Sequence, residues 1–551
     1  KIGLRWFEFN KNNGKFYING EPMKLIGLNR HETYPYIGRA APNRLQARDA
    51  DILKFEMGCN AVRSSHYPPD TEFLNRCDEI GLLAIEEIPG WQNIGDSAWQ
   101  DIAINNVEEM IMRDRNHPSI IAWGVRINES IDNHDFYTKT NNKARSLDGT
   151  RPTIGVRFTA NYYSEFLEDV FGFNDFTGGI KKPRQLPWLV TEYEGHMYPV
   201  KSFDKEERLV NQVLRHAKVQ NESFAREDVA GALGWCGFDY NTPLSDNQVR
   251  YHGAYDMFRM PKFVTSVYRS QQDPENYEPM VFIANYWKKD SPKDVTIASN
   301  CEEVELFVNG VSKGIAKPNL YTSLPHPLFQ FKNIYYEPGE IRAEGRIGGR
   351  VVASHVRHTP GEPVKLVLST KDPSITADGS DMTMINVSAV DSYGQIVPLA
   401  GNKVKFNIIG SGKFIGENVF QLEDGKGGFF VQSKLGQAGV VRCTASSEGL
   451  EDAVLDISIE DMNDMVVPAI PRKPDAKPVA GENVALNRPA FSDSNEFGKG
   501  NGSFRANDGD ENTRWCANDS KPNHYIMIDL GRSVNISSTE VTWEKDGKAY
   551  G

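Results

Sequence analysis

Eight short apolar runs recur through the first 236 residues of the chain, at 23–28, 61–63, 82–87, 120–129, 153–158, 169–174, 188–192 and 231–236. Runs of this length that are apolar throughout, rather than at alternate positions, are what strands buried on both faces require. The longer stretches between them are amphipathic and can lay one face on a sheet, so together they predict a (β/α)8 barrel. Its fifth and sixth units are short, about 17 residues from one strand start to the next, and the barrel is expected to be irregular there. Residues 1–20 read as a hairpin, because Asn13-Gly14 and Asn19-Gly20 are turn signals around the alternating Lys15-Phe16-Tyr17-Ile18.

Past about residue 270 the texture changes to short strands separated by Gly, Pro, Asn and Asp, as in an immunoglobulin-like β-sandwich. The expected division is a barrel at 1–270, sandwiches at 271–361 and 362–460, a linker at 461–481 and a strand-rich remainder at 482–551. The linker assignment rests on its four prolines and its lack of large apolar residues after Val467. The chain begins at Lys1, without Met or a signal peptide, and reads as a processed or trimmed product.

Composition narrows the function. Acidic residues outnumber basic ones by 74 to 62, for a net charge of −12, which argues against a nucleic-acid partner. No run of 18 or more apolar residues occurs, so no membrane span is expected. Six scattered cysteines, with no CxxC pair, suggest neither a metal site nor a disulfide framework. An aromatic-rich acidic surface suits a neutral carbohydrate, and the oligomeric state stays open.

Barrel enzymes place their chemistry at the C-terminal ends of the strands. Glu129 closes the fourth run and Glu192 the seventh, and an acid that ends an apolar strand has no packing reason to be there. One such residue is readily explained by a structural ion pair; two of them point to function. Trp235 ends the eighth run, and a core tryptophan is its alternative reading.

The motifs around these residues resemble glycoside hydrolase family 2. Asp114-Arg115-Asn116-His117-Pro118-Ser119-Ile120-Ile121-Ala122-Trp123, followed by Asn128-Glu129-Ser130, is similar to that family's acid/base signature, and Thr191-Glu192-Tyr193 to its nucleophile motif. Gly27-Leu28-Asn29-Arg30-His31-Glu32 and Asn60-Ala61-Val62-Arg63-Ser64-Ser65-His66-Tyr67-Pro68 resemble its first two strand ends. The resemblance implies a retaining exo-β-glycosidase, with galactose the first expectation and mannose or another neutral sugar behind it. Glu129 would be the acid/base and Glu192 the nucleophile, their carboxyl groups about 5–5.5 Å apart. Asn128 would bond the sugar 2-hydroxyl, His31, Arg63 and His66 would grip other hydroxyls, and Trp235 would lie under the ring; the alternative for Arg63 is a structural pairing with Glu32 or Glu87, and for the histidines a structural role. Trp91 and Tyr193 are weaker candidates. The rival reading is a carbohydrate-binding protein with an inactive barrel, against which the retention of both glutamates counts.

Three departures from the family pattern matter. From Trp123 to Glu129 the chain is one residue longer, so a bulge is expected between Gly124 and Ile127, centred on Gly124 and turning Arg126 toward Glu87 at the mouth. Glu86-Glu87-Ile88-Pro89-Gly90-Trp91 stands where some relatives carry a metal-supporting His, so no metal and no cofactor are expected. Asn247-Gln248-Val249 stands where glucuronidases carry an Asn-x-Lys pair, which favours an uncharged sugar. The family's usual jelly-roll and sandwich domains ahead of the barrel are not in this sequence. Toward the C-terminus, Asn483-Val484-Ala485-Leu486-Asn487-Arg488-Pro489, the segment from Ala506 to Trp515 and Tyr525-Ile526-Met527-Ile528-Asp529-Leu530-Gly531 resemble a discoidin-type module. In such modules residues like Asp508 and Thr513 hold calcium, but about half the module is missing and no calcium is expected here.

Overall fold

The computed structural model describes residues 5–242, 248–462, 483–496, 499–519, 524–530, 536 and 538–542, so most of the expected linker, and Asn247, lie outside the described residues. The chain divides into two compact units, 1–463 and 464–551.

The first unit opens with three short antiparallel strands, β1 (Phe7–Phe9), β2 (Phe16–Ile18) and β3 (Glu21–Met23). Eight parallel strands then close into a barrel in chain order. They are β4 (Leu25–Arg30), β5 (Ala61–Ser64), β6 (Leu83–Glu87), β7 (Ile120–Gly124), β8 (Thr153–Phe158), β9 (Val170–Asn174), β10 (Trp188–Glu192) and β11 (Gly231–Gly234). Each of the eight runs read from the sequence supplies one strand. Leu25, Ala61, Leu83 and Val170, the first residues of their strands, cluster with Phe9 and Phe16. The opening hairpin therefore plugs the N-terminal end of the barrel with aromatic rings and leaves the other end for chemistry.

Helices α1 (Asn43–Asp51), α2 (Thr71–Ile80), α3 (Ser97–Asp114), α4 (His134–Leu147) and α5 (Glu206–Phe224) cover the outside. Local chemistry starts three of them: the side chains of Asp70, Asp96 and Asn133 accept from the backbone N–H of Glu72, Trp99 and Phe136. Gly81, at φ +67°, ends α2 in the left-handed conformation that glycine adopts without cost. Among the described residues no α-helix separates β8 from β9 or β9 from β10, and only a single 3₁₀ turn, Thr159–Asn161, follows β8. This is the irregularity expected of the short fifth and sixth units.

Strand β7 differs from expectation in detail. Its ladder with β8 is regular at first, with Trp123 N–H donating to Pro152 O and Val125 N–H to Ile154 O. The next bond comes from Glu129 N–H to Val156 O, where an unbroken strand would use Ile127. The distortion thus begins after Val125, inside the expected span but not at Gly124. Gly124 is fixed by close approach instead: a Cβ there would lie 2.3 Å from Glu87 Cβ. Arg126 is also not turned toward Glu87. Its guanidinium leaves the barrel on the helical side and reaches Ser130 O and Asp132.

Two β-sandwiches complete the first unit. One pairs strands Val281–Ile283, Val295–Ser299 and Phe329–Phe331 with a four-stranded sheet that includes Glu303–Val308 and Glu340–Ile347, around Trp287, Ile297, Leu306 and Ile341. The other encloses Ile385, Phe406, Phe429 and Val441 between sheets of four and five strands. Burial alternates residue by residue, between buried and half-buried in Glu303–Val308 and between buried and exposed in Lys365–Ser369, so each strand turns one face to the core. Arg44 on α1 ties the barrel to the second sandwich through Asp381, at 2.7 Å. In the second unit Ala490–Ser492 pairs antiparallel with Ile526–Ile528.

Barrel closure leaves little room between β4 and β5. A Cβ on Gly27 would lie 1.7 Å from Ala61 O, so the strands would have to part. Gly27→Ala is expected to lower the thermal unfolding temperature of the protein by an amount corresponding to about 3 kcal/mol or more, read by differential scanning calorimetry. A shift near zero would mean that the β4–β5 contact is not as tight as described.

Candidate active site

The C-terminal ends of the strands gather polar residues that the apolar strands deliver in register. Arg63, the third residue of β5, is fully buried. Its Nη1 donates to Glu192 Oε1 at 2.7 Å and to Asn29 Oδ1 at 2.9 Å, and its Nη2 donates to Glu87 Oε2 and Asn128 Oδ1, both at 2.9 Å. Its Nε lies 2.5 Å from Glu87 Oε1. Sequence reasoning has Arg63 gripping hydroxyls; its terminal nitrogens are instead committed to protein carboxylates and amides.

One guanidinium serves two buried carboxylates, and they fare differently. At Glu87 burial works to raise the carboxyl, but Arg63 and His66 together outweigh it and hold the group below the usual carboxylate value. At Glu192 burial prevails over Arg63, and the Glu129 charge adds to it, so the carboxyl is pushed up to about 8. The Glu129 carboxylate itself is suspended between loops. Its Oε2 accepts from Trp91 Nε1 and Gln92 Nε2, each at 3.1 Å, and its Oε1 accepts from Asn174 Nδ2 at 3.0 Å.

Asn174, the last residue of β9, joins the two strands that carry the glutamates. Its Oδ1 accepts from Thr191 Oγ1 at 2.8 Å, which fixes the amide so that Nδ2 faces Glu129 Oε1 and, at 3.3 Å, Asn128 Oδ1. Asn29 does similar work beneath Glu192, where its Nδ2 donates to Thr191 O and Gly234 O. Asn29 and Asn174 were not singled out in the sequence, although each stands at or next to the end of one of the apolar runs; Glu87, at the end of another, was named only as a possible partner of an arginine. Glu129 and Glu192 were read there by the same signal.

An aromatic wall closes one side. The Trp235 indole stacks on His66, with ring centroids 5.2 Å apart and planes at 8°, and its Nε1 donates to His252 Nδ1 at 3.1 Å. His31 stands edge-on to Trp235 at 5.3 Å and stacks on Tyr240 at 4.2 Å. Burial, with neighbouring positive charge, holds His31 well below the usual histidine range and also lowers His66. Arg63 Nη2 lies 3.1 Å from His66 Nδ1, and Asn128 Nδ2 lies 3.4 Å from the other ring nitrogen, Nε2. That nitrogen is 3.9 Å from Glu192 Oε1. Tyr193, by contrast, points away from this cluster into a buried network with Tyr268 and Gln220. Among the described residues no group of His, Cys, Asp and Glu is arranged to hold a metal ion, and no helix is long and apolar enough to cross a membrane.

The barrel matches the family described as "Glycosyl hydrolases family 2, TIM barrel domain" over residues 9–276. A domain of unknown function matches 290–353, "Glycoside hydrolase family 2 C-terminal domain 5" matches 366–456, and a "NedA-like, galactose-binding domain" matches 505–551. The chain is 50% identical over 455 residues to a protein named β-galactosidase from Thermoanaerobacter pseudethanolicus, covering 79% of this chain and 61% of that one. It is 42% identical to another of that name from Thermoanaerobacterium thermosulfurigenes, covering 77% and 63%. It therefore spans less than two thirds of the length of these relatives. In fold it resembles a β-glycosidase from Bacteroides vulgatus, with a TM-score of 0.70 at 23% identity over 83% of this chain and 67% of that one. The motifs at the strand ends, the closed barrel that presents them and the matches along both barrel and sandwich agree: the chain belongs to glycoside hydrolase family 2.

Proposed function

We propose that this barrel is the catalytic domain of a retaining exo-β-galactosidase, within a chain divided near residues 270, 361 and 460. The observation that carries the proposal is a pair of glutamates on β10 and just beyond β7, held in different ways at one barrel mouth. Glu192 is buried against a guanidinium, as a nucleophile aimed at an anomeric carbon needs to be. Glu129 is half-buried and reached from the loop after β6 by Trp91 and Gln92, on the side from which a leaving group departs.

In the first step Glu192 attacks the anomeric carbon while Glu129 gives its proton to the glycosidic oxygen. The C–O bond to the leaving group breaks as the glycosyl–enzyme ester forms. In the second step Glu129 takes a proton from water, the water oxygen bonds to the anomeric carbon, and Glu192 is released as carboxylate. The cycle needs one proton on the pair at the outset. Positive charge developing on the sugar draws Glu192 into its ionised form, and Arg63 holds it in line. Asn128, whose Oδ1 is occupied by Arg63 and Asn174 and whose Nδ2 lies 3.4 Å from His66 Nε2, would turn that Nδ2 to a sugar hydroxyl when one is bound.

A neutral sugar is favoured by charge. Glu87, Glu129 and Glu192 face a single guanidinium, and His31 and His66 are kept neutral. A uronic carboxylate brought beside these acids would cost several kcal/mol, roughly. Galactose in particular is supported by the names of the two relatives above. On a panel of p-nitrophenyl β-glycosides the full-length protein is expected to prefer the galactoside and to leave the glucuronide essentially uncleaved. Preferential cleavage of the glucuronide would overturn the assignment of the sugar.

The pH dependence follows from Glu192. Its carboxyl is raised from 4.5 to about 8 by burial, against Arg63, so in the free protein the nucleophile gains its charge only as pH rises through neutrality. Because kcat/KM reports the free enzyme and the cycle needs one proton on the pair, its alkaline limb should lie near pH 8, where that proton leaves Glu192. Stability follows the same titration: a carboxyl raised from 4.5 to about 8 contributes in full below about 4.5 and loses that contribution progressively as pH climbs to about 8. A kcat/KM that stays flat well above pH 8 would contradict this account of Glu192.

A further inference from the structure

Glu129 has an unusual backbone. Its φ is +57°, a left-handed conformation that costs a β-carbon-bearing residue about 1–2 kcal/mol. It lies where the β7 ladder has come apart, so neither strand geometry nor intrinsic preference holds the carboxyl in place. Something else must, and the surrounding bonds identify it.

Backbone groups on either side of Glu129 are caught, and Ser130 N–H donates to Ile127 O at 3.2 Å across the turn. Asn128 O accepts from Gln92 N–H at 2.7 Å, and Glu129 N–H donates to Val156 O at 3.1 Å. Ser130 O accepts from Arg126 Nη2 at 3.1 Å and from Asn161 Nδ2 at 3.0 Å. Arg126 is 1% exposed, and the same Nη2 donates to Asp132 Oδ1 at 2.7 Å. Its guanidinium lies over the Tyr137 ring, 4.6 Å from the centroid. Ser130 Oγ donates to Ile127 O at 2.7 Å and therefore accepts from Tyr137 OH at 2.5 Å. A Cβ on Gly155 of β8 would meet the Glu168 carboxylate first, 2.2 Å from its Oε1, and would lie 3.1 Å from Arg126 Cβ.

We propose that Arg126 and Tyr137 form a clamp, built outside the barrel, that closes the turn from Ile127 to Ser130 and thereby aims the Glu129 carboxyl at the glycosidic oxygen. Both are positioning residues. They touch neither the sugar nor the reacting atoms, and they act only through the backbone that carries Glu129. The inference rests on the acid/base reading of Glu129 and assigns the long segment after β7 a purpose: it places one long cationic side chain on the helical side of the sheet, where it can grip the turn from behind. A slack clamp leaves the substrate pocket and Glu192 intact but delivers the proton badly. The defect must therefore scale with the leaving group's need for that proton.

The test compares kcat/KM of the full-length protein on β-glycosides of its preferred sugar, graded from alkyl through nitrophenyl to dinitrophenyl leaving groups. Misplacement of a reacting group by an ångström costs on the order of 100-fold. Arg126→Met is accordingly expected to lose about that much on alkyl glycosides and to stay within about 3-fold on the dinitrophenyl glycoside, which needs little protonation. Added guanidinium ion should restore part of the alkyl activity. Tyr137→Phe should show the same gradient at about 10-fold, and with Arg126→Lys it carries the comparison if Arg126→Met does not fold. Losses equal across leaving groups, or no loss in variants that melt like the parent, would overturn the clamp. Glu129→Gln measured in the same series keeps the two readings apart. A flat response there removes the acid/base role itself, whereas a graded one beside a flat Arg126 series removes only the clamp.

Discussion

The site depends on one buried cation. Arg63 sits at 0% exposure with its nitrogens spent on Glu192, Glu87, Asn29 and Asn128, residues that come from or just beyond four different barrel strands. Taking a guanidinium out of water costs several kcal/mol, recovered only when its partners are charged and well placed. The two carboxylates supply that recovery, and in return the planar fork fixes where they stand. Removing either acid would leave Arg63 uncompensated and removing Arg63 would strand two buried acids, so the ends of β5, β6 and β10 are energetically one object. The difference between Glu87, held ionised, and Glu192, poised near neutrality, is the chemically useful asymmetry in that object.

Around this centre the amides work as spacers that carry no charge. Asn174 takes its orientation from Thr191 and passes it to Glu129, so the residue before one glutamate helps to place the other. Asn29 holds β10 and β11 together under Glu192. The aromatic wall of Trp235, His66, His31 and Tyr240 excludes water from one flank, which strengthens each of these interactions. Trp91 remains 43% exposed while donating to Glu129, so the acid/base side of the mouth stays open where the Glu192 side is closed.

Much of this was legible in the sequence, for a definite reason. Strands buried on both faces must be apolar throughout, so eight runs announced eight strands, and a polar residue ending such a run stood out. Glu129, Glu192 and Trp235 were found in that way. Side-chain direction beyond the end of a strand was not legible. The expected bulge at Gly124 placed Arg126 near Glu87, but Gly124 is pressed against Glu87 and cannot be the flexible point, so the ladder opens after Val125 and Arg126 leaves on the other side. Arg63 was read first as a hydroxyl-gripping residue because its position was visible, while of its four partners only Glu87 was named, as the alternative. Asn174 went unnoticed because its significance lies wholly in the contacts it makes with two other strands.

The central claim is that Glu192, and not Glu129, forms the bond to the sugar. It is tested most directly by incubating the full-length protein with a 2-deoxy-2-fluoro-β-galactosyl donor bearing a dinitrophenyl or fluoride leaving group, then mapping the label by peptide mass spectrometry. The fluorine slows hydrolysis of the ester by destabilising its positively charged transition state, so the intermediate accumulates. The account predicts one fluorogalactosyl group per chain, on the peptide containing Thr191-Glu192-Tyr193. A label on the Asn128-Glu129-Ser130 peptide, or turnover that leaves no covalent adduct and inverts the anomeric centre, would contradict it.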